Sequence, residues 1–441
     1  MLYLSIDFGT SAVKMSIVDE NLQTLSSSKG MYHYLILPGE KNELQEKDLL
    51  AALYAAAEGL DPELRAKVEL LCYDTFSPSP IFLDKEGNLV YPNIITHLDR
   101  RSRAQTQYIT ENFGKDRYMN ISGIYPFPGG CSAMTLIWFK QNMPEVLDKT
   151  YIIGHLPTYI HKLFTGEFMV DFVNASMMGM YETVTQSGWS KELIREFGLP
   201  EHAFQEIRYP GTDGGFLKAD IAEKLGVKAG IPVCIGTNDV AAAQMGAGNE
   251  TSGNVMNTTG SSEMVSILTD TPKVSPEYYL RNSALPGLWQ IYATTCGGFG
   301  IDWFYEQFCR EMTKDEFFSY EEKVIYDYLE KGETEVTFDP YLTGDRQSLE
   351  KRTGAWKGLT LGSTRDDMLI AYMVGIQDVM MGAISNAQKV TDITGKIKIS
   401  GGMATKAYMD FKKKFYKDLE FEVVDDCPIK GNVRLVQHYH N

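Results

Sequence analysis

Two glycine-and-hydroxyl turns, set roughly half a chain apart, carry the residue types that hold phosphate. The first is Asp7-Phe8-Gly9-Thr10-Ser11, with Lys14 just beyond it; the second is Thr259-Gly260-Ser261-Ser262. Leu2, Leu4 and Ile6 precede the first turn and Val13, Met15 and Ile17 follow it. Val255 precedes the second, and Met264, Val265, Ile267 and Leu268 follow it. Each segment therefore reads as a β-hairpin with a tight tip. Such a tip exposes backbone N–H groups and hydroxyls with little side chain in the way, which makes an anion-binding concavity. Two of them, at corresponding places in two halves, point to a duplicated fold gripping one polyphosphate from both sides, and so to an ATP-using enzyme. Asp7 lies at the end of a buried strand, where a carboxylate is awkward to bury without a cation. Either it faces Mg²⁺ through water, since that ion keeps several waters and few carboxylates, or it stabilises the turn by accepting nearby N–H groups.

The elements that position these turns follow from periodicity. Leu44, Leu49, Leu50, Leu53 and Ala57 give residues 43–59 the apolar face of a helix. Residues 68–73 read as a buried strand that delivers Asp74 and Thr75 at its carboxyl end. Ligands of α/β folds bind in the crevice there, so both are candidates for touching substrate. A polar patch with Asp99 and Arg101 opens a helix running to about Phe113. Near mid-chain, the strand 232–235 ends in Gly236-Thr237-Asn238-Asp239 and an alanine-rich helix starts at once. Asp239 is either a helix N-cap or a base that accepts a proton from a hydroxyl attacking the γ-phosphorus of ATP. Gly246, Gly248 and Gly253 loosen the chain, which places a boundary between domains at 1–245 and 246–441.

Length and charge narrow the class. A chain of 441 residues exceeds one hydrophobic core. With 42 basic and 58 acidic residues the net charge is −16, and Lys412-Lys413-Lys414 is the nearest approach to a basic block. A nucleic-acid groove or anionic membrane surface is not expected. The six cysteines are scattered and read as small buried hydrophobes of a reducing compartment. No signal segment and no stretch long enough to span a bilayer is expected, so the expected location is the cytoplasm. His97, His155 and His161 show no ligand spacing and read as incidental.

Taken in order, these stretches resemble the FGGY family of carbohydrate kinases over nearly the whole chain. The resemblance is carried by Asp7-Phe8-Gly9-Thr10-Ser11 with Lys14, by Leu163-Phe164-Thr165-Gly166-Glu167 with Asp171 and Asn174-Ala175-Ser176, and by Gly236-Thr237-Asn238-Asp239. It continues through Thr259-Gly260-Ser261-Ser262-Glu263, Tyr341-Leu342-Thr343-Gly344-Asp345-Arg346, Gly354-Ala355-Trp356-Lys357-Gly358-Leu359 and Ser400-Gly401-Gly402. It implies an α/β fold of two ribonuclease-H-like domains of the actin/Hsp70 ATPase type, with ATP, Mg²⁺ and sugar in an interdomain cleft. It also implies that Asp239 is the general base and a sugar contact, and that Asp7 supports the metal. Gly9, Thr10, Ser11 and Lys14 would line one phosphate loop, and Thr259, Gly260 and Ser261 the other. Gly298 would lie near the phosphates, and Gly401 and Gly402 would pack on adenosine. A homodimer is compatible with the family.

The chain departs from its relatives around the substrate. Val240 stands where many carry an amide after the base. Asp74-Thr75-Phe76-Ser77-Pro78 replaces both the Gln-Met-His-Gly type of the pentulose kinases and the Arg-Glu pair of glycerol kinases. His97-Leu98-Asp99-Arg100-Arg101 lacks the usual tryptophan. Asp99 and Arg101 either bind sugar hydroxyls or pair with each other at a helix start. A ketopentose such as xylulose is the expected acceptor, with gluconate, glycerol or another polyol as alternatives. A non-catalytic sensor on the same fold and a sugar-independent ATPase are the readings from other classes.

Overall fold

The computed structural model describes residues 1–342, 352–416 and 418–440, and the chain divides into two compact units. The first takes residues 1–250 and two later segments, 272–290 and 426–441; the second takes 251–271 and 291–425. A single boundary at 245/246 does not describe the two returning segments. They carry the weakest local signal, since they belong to the first unit only by packing.

In the first unit, β1 (Leu2–Phe8), β2 (Ala12–Asp19) and β3 (Thr24–Met31) form an antiparallel meander. The helix α1 (Glu46–Glu58) buries Leu49, Ala52, Leu53, Ala56 and Ala57 in the core that these strands share. It starts three residues later than its apolar periodicity suggests, because residues 41–45 pair as a strand with 93–95. Strand β4 (Leu70–Thr75) lies parallel to β1 and is buried along its whole length. It is therefore apolar until its last two residues. Beyond it come β5 (Asp213–Phe216), β6 (Pro232–Cys234) and the short β7 (Thr237–Asn238). The sheet order is β5-β6-β4-β1-β2-β3, with β7 paired to the end of β4. Helix α2 (Asp239–Gly246) follows β7 without a loop. The C-terminal helix, residues 427–440, packs on α2, where Gly246 and Gly431 let the backbones meet.

The second unit repeats the pattern. Strands β8 (Val255–Thr259) and β9 (Ser262–Thr269) form the hairpin, followed by β10 (Trp289–Cys296) and helix α3 (Gly298–Phe308). Helix α4 (Arg365–Ala387) opens with a capping box of Thr364 and Asp367. Then come β11 (Ile397–Ser400), α5 (Lys406–Phe415) and β12 (Phe421–Val423). The strands stand in the order β10, β9, β8, β11, β12, with β11 parallel to β8.

 Read along the sheet, β9 and β8 are the counterparts of β2 and β1, and β11 is the counterpart of β4. Helix α4 has 23 residues, and an 18-residue stretch within it has a mean hydropathy of 1.5, so by length and composition it could cross a bilayer. This corrects the expectation that no stretch is long enough. Its apolarity is that of a core helix: Leu369, Ile370, Met373, Ile376 and other residues along it are buried in the second unit. None of the six cysteines forms a disulfide, and all six are buried.

Candidate active site

In the first unit the chemistry gathers where β1, β4 and β7 end side by side. Asp7 on β1 stands opposite Lys14 on β2 and opposite Asp74 on β4, and Asp74 in turn stands opposite Thr237 on β7. Parallel pairing thus brings carboxylates 67 positions apart into one row. The tip between β1 and β2 is closed by the Gly9 N–H donating to the Ala12 carbonyl at 3.0 Å. It is pinned to the segment after β3 by the Tyr32 N–H on the Ser11 carbonyl (3.1 Å) and the Tyr32 hydroxyl on the Gly9 carbonyl. Thr10 and Ser11 remain exposed at its end. Lys14 differs from the rest of the expected phosphate loop, because its ammonium is paired with Asp426 at the start of the C-terminal helix.

Asp74 and Thr75 are fully buried. Asp74 Oδ2 accepts from Asn432 Nδ2 at 2.6 Å, and the Thr75 hydroxyl donates to the Phe76 carbonyl at 3.1 Å. The expected contact of these two with sugar is therefore corrected: neither side chain reaches a surface a ligand can touch. Asp74 instead backs Asp7. Asp7 Oδ1 and Asp74 Oδ1 are both buried with no hydrogen-bond partner among the described residues. Burial, and then the Asp7 and Asp239 charges, push the Asp74 carboxyl well above the usual range. Burial likewise raises Asp7 to about 6, against the pull of Lys14. Two orphaned carboxylate oxygens in a dry row suit a cation. Among the described residues no group of three or more His, Cys, Asp or Glu side chains is placed to enclose a metal. The pair therefore fits an ion such as Mg²⁺ that keeps most of its waters.

Asp239 sits one residue past β7. The competing assignment, a helix N-cap, belongs to its neighbour: Asn238 Oδ1 accepts from the Val240 N–H at 3.1 Å and the Ala241 N–H at 3.3 Å. Asp239 Oδ1 accepts from Asn238 Nδ2 at 2.7 Å and the Val240 N–H at 2.8 Å. One carboxylate oxygen is thus fixed, and no hydrogen bond to the other is found among the described residues. Burial first, and the Asp7 charge second, raise this carboxyl to about 7. A base poised near neutrality combines a populated ionised form with enough proton affinity to assist a hydroxyl.

Two neighbours of Asp239 carried no signal in the sequence. Tyr34 packs its ring 6.1 Å from Phe76, and its buried hydroxyl has no partner among the described residues. Arg281 donates to the Gly130 carbonyl at 3.2 Å, and its charge favours the ionised form of Asp239. Tyr34 lies past the end of β3, and Arg281 lies in a segment that returns to the first unit. Only packing brings them here.

The Asp171 and Asn174 motif builds the floor beneath. Asp171 caps the helix 172–177 and accepts from the Thr237 hydroxyl at 3.3 Å; burial raises it to about 7. Asn174 Oδ1 takes hydrogen bonds from Ser77 Oγ (2.6 Å) and His155 Nδ1 (2.7 Å), and Ser132 Oγ lies 2.7 Å from His155 Nε2. His155 is therefore not incidental: buried and held neutral, with its pKa lowered to about 4 by burial, it fixes Asn174. His161 is buried, with its Nε2 on the Gly214 carbonyl at 2.8 Å.

Asp99 and Arg101 resolve to the structural alternative. Arg101 Nη2 pairs with Asp99 Oδ2 at 2.7 Å and with Glu43, and these side chains are 1–2 % exposed. Tyr91 and Asn93 donate to Glu43, and the Asn42 N–H donates to Asp99 at 2.8 Å. The guanidinium lies over the rings of Tyr91 and Trp138. Every charge is satisfied within the protein, which corrects the expected contact with sugar.

In the second unit, Thr259 stands opposite Glu263 across the β8–β9 tip. Among the described residues, a Cβ built on Gly260 would meet nothing within 4 Å and the buried Thr259 hydroxyl has no partner; Ser261 is exposed. The tip's own carbonyls face the start of α3: the Gly298 N–H donates to Gly260 O at 2.7 Å, and the Gly297 and Phe299 N–H groups both donate to Ser261 O at 3.1 Å. Gly298 thus braces the tip from behind. Gly401 has φ +123°, and a Cβ there would lie 2.2 Å from the Thr259 carbonyl oxygen. Glycine at 401 is required by the hairpin itself, whereas Gly402 faces open space. Of the segment Tyr341–Arg346, residues 343–346 lie outside the described residues.

Comparison with known proteins identifies the family and the fold. The profile of the FGGY family of carbohydrate kinases, N-terminal domain, matches residues 2–246. A xylulose kinase of Lactococcus lactis is 27% identical over 353 residues, which cover 78% of this chain and 68% of that protein. An L-fuculokinase of Escherichia coli K12 is 25% identical over 360 residues, 80% of this chain and 73% of that protein. The crystal structure of xylulose kinase from Rhodospirillum rubrum superposes with a TM-score of 0.87 at 17% identity, covering 100% of this chain and 90% of that one. The fold is that of these kinases, with its actin/Hsp70-type α/β units.

Proposed function

We propose, from the premise that the chain belongs to the FGGY family of carbohydrate kinases, that it transfers the γ-phosphoryl group of ATP to a hydroxyl of a ketopentose or close relative. Asp239 is the general base of this proposal. The observation that carries it is the arrangement at the end of β7: Asn238 caps α2, and Asp239, raised to about 7, keeps one oxygen unbonded. That oxygen accepts the hydroxyl proton as the sugar oxygen attacks phosphorus, and ADP leaves with the electron pair of the broken P–O bond.

Mg²⁺ bound at Asp7, with Asp74 behind it, would supply positive charge against the phosphate oxygens. The exposed tip Gly9-Thr10-Ser11 and the tip Thr259-Gly260-Ser261 offer N–H groups and hydroxyls to phosphate. Gly298 supports the second tip, Gly402 leaves room for a nucleotide, and Gly401 fixes the strand end beside it. A ketopentose is favoured by the likeness to a xylulose kinase.

The test is ADP release from ATP and Mg²⁺ with pentuloses, hexuloses, polyols, aldonates and glycerol, each against a sugar-free control. Strong stimulation by a pentulose supports the reading. Stimulation by gluconate or glycerol alone overturns the acceptor, and equal release with and without every sugar overturns the kinase assignment.

A further inference from the structure

Of the three lysines in the run 412–414, two serve the surface of α5: Lys413 pairs with Asp410 at 2.7 Å, and Lys414 donates to the Gly332 carbonyl. Lys412 turns inward and is fully buried. Its ammonium pairs with Glu263, which is also 0 % exposed, and donates to Asn257 Oδ1 at 2.6 Å. Gln377 Oε1 of α4 lies 3.4 Å away, and the rings of Tyr408 and Tyr416 flank the charge at 5.2 and 5.8 Å. Asn257 closes the triangle by donating to Glu263 Oε1 at 2.9 Å and to the Met264 carbonyl at 2.7 Å.

Burying two charges costs several kcal/mol per ion before their attraction is counted, and an apolar pair of similar volume is often as stable. A pair kept in spite of this is best explained by what it aligns. Here the aligned object is the second hairpin: Asn257 is on β8, Glu263 is on β9, and Glu263 pairs directly with Thr259 at the base of the tip. One ammonium therefore ties both strands to α5. A second tie acts on the other side of the tip, where the Tyr372 hydroxyl of α4 donates to the Gly297 carbonyl at 2.7 Å, just before the α3 N–H groups that hold Gly260 and Ser261.

We infer that Lys412 is a positioning residue: through Glu263 and Asn257 it sets the register and orientation of the Thr259-Gly260-Ser261 tip toward the nucleotide phosphates. The inference rests on the proposed phosphate role of that tip. It gives this chain a charged brace where the fold could be held by apolar packing alone. Burial pulls the ammonium below its usual range while Glu263 holds it up, so the pair is sensitive to loss of either member.

The test compares Glu263→Gln, which keeps shape and one acceptor, with the charge-free double variant Lys412→Met/Glu263→Gln. Melting temperature, KM for ATP, KM for sugar and calorimetric affinity for ADP are measured on the full chain. Wild type must first show sugar-stimulated ADP release; its absence refutes the parent reading. With wild type active, the inference expects KM for ATP and Kd for ADP to rise about tenfold in both variants, with KM for sugar within about twofold. This holds for the double variant even where removal of both charges restores the melting temperature. A variant with lowered melting temperature but nucleotide constants within about twofold of wild type would overturn it and leave the pair a purely structural one. Should the double variant fail to fold, Glu263→Gln decides by the same criterion, and failure of both to fold also overturns a positioning role separable from stability.

Discussion

Asp7 and Asp74 stand directly opposite each other on parallel strands, each with one buried oxygen that meets no hydrogen-bond donor among the described residues. Burial in that arrangement opposes ionisation of the pair and a cation favours it, so the site holds a cost that its ligand relieves. Asp7→Asn lets an amide donate to the orphaned Asp74 oxygen. It is expected to raise the melting temperature by roughly 2–4 °C, the response of a unit this size to about 1 kcal/mol. It should lower kcat by at least about a hundredfold. Because folding raises the Asp7 pKa from 3.8 to about 6, its contribution to stability is complete below the unfolded value and is lost as pH rises through about 6. Thermal melts of wild type and variant across that window should converge at low pH; parallel curves would refute the account.

Asp239→Asn should reduce kcat by about three orders of magnitude while melting temperature and ADP affinity stay near wild type. The cap of α2 survives because Asn238 supplies it. In wild type, kcat/KM should fall as pH drops below about 7, since the protonated carboxyl cannot accept the substrate proton. Steady-state rates over pH check both, and a variant with near-normal turnover would remove Asp239 from the role of base.

Arg101→Met leaves Glu43 and Asp99 buried without their cation. A loss of about 3–5 kcal/mol is expected in denaturant unfolding. Folded enzyme that survives should keep the wild-type KM for sugar. A raised KM at unchanged stability would return Asp99 and Arg101 to the substrate site.

Gly401→Ala places a methyl group against the Thr259 carbonyl in a backbone conformation that alanine resists. Stability should drop by about 1–3 kcal/mol. KM for ATP should rise with it, because Thr259 must shift. Thermal melts and ATP titrations of the variant give both numbers, and an unchanged KM would separate Gly401 from the phosphate tip.

Much of this site was legible because its signals are local. A glycine between hydroxyls at a hairpin tip, a strand running straight into a helix at Asp239, and the apolar helical face of residues 43–59 all depend on neighbours in sequence. Those neighbours fix backbone conformation within a few residues. By itself the sequence determined the two hairpins, the place of Asp239 between a strand and a helix, and the family to which they point. The tertiary structure decided which polar side chains meet one another. It buried Asp74 and Thr75, tied Arg101 to a glutamate 58 positions away, and seated Lys412 on Glu263 across 149 positions. It also brought residues 272–290 and 426–441 back to the first unit. A charged residue reads the same in sequence whether it faces water or a buried partner. The choice is made by desolvation and by the partner's place in the fold, and neither is a property of the local chain.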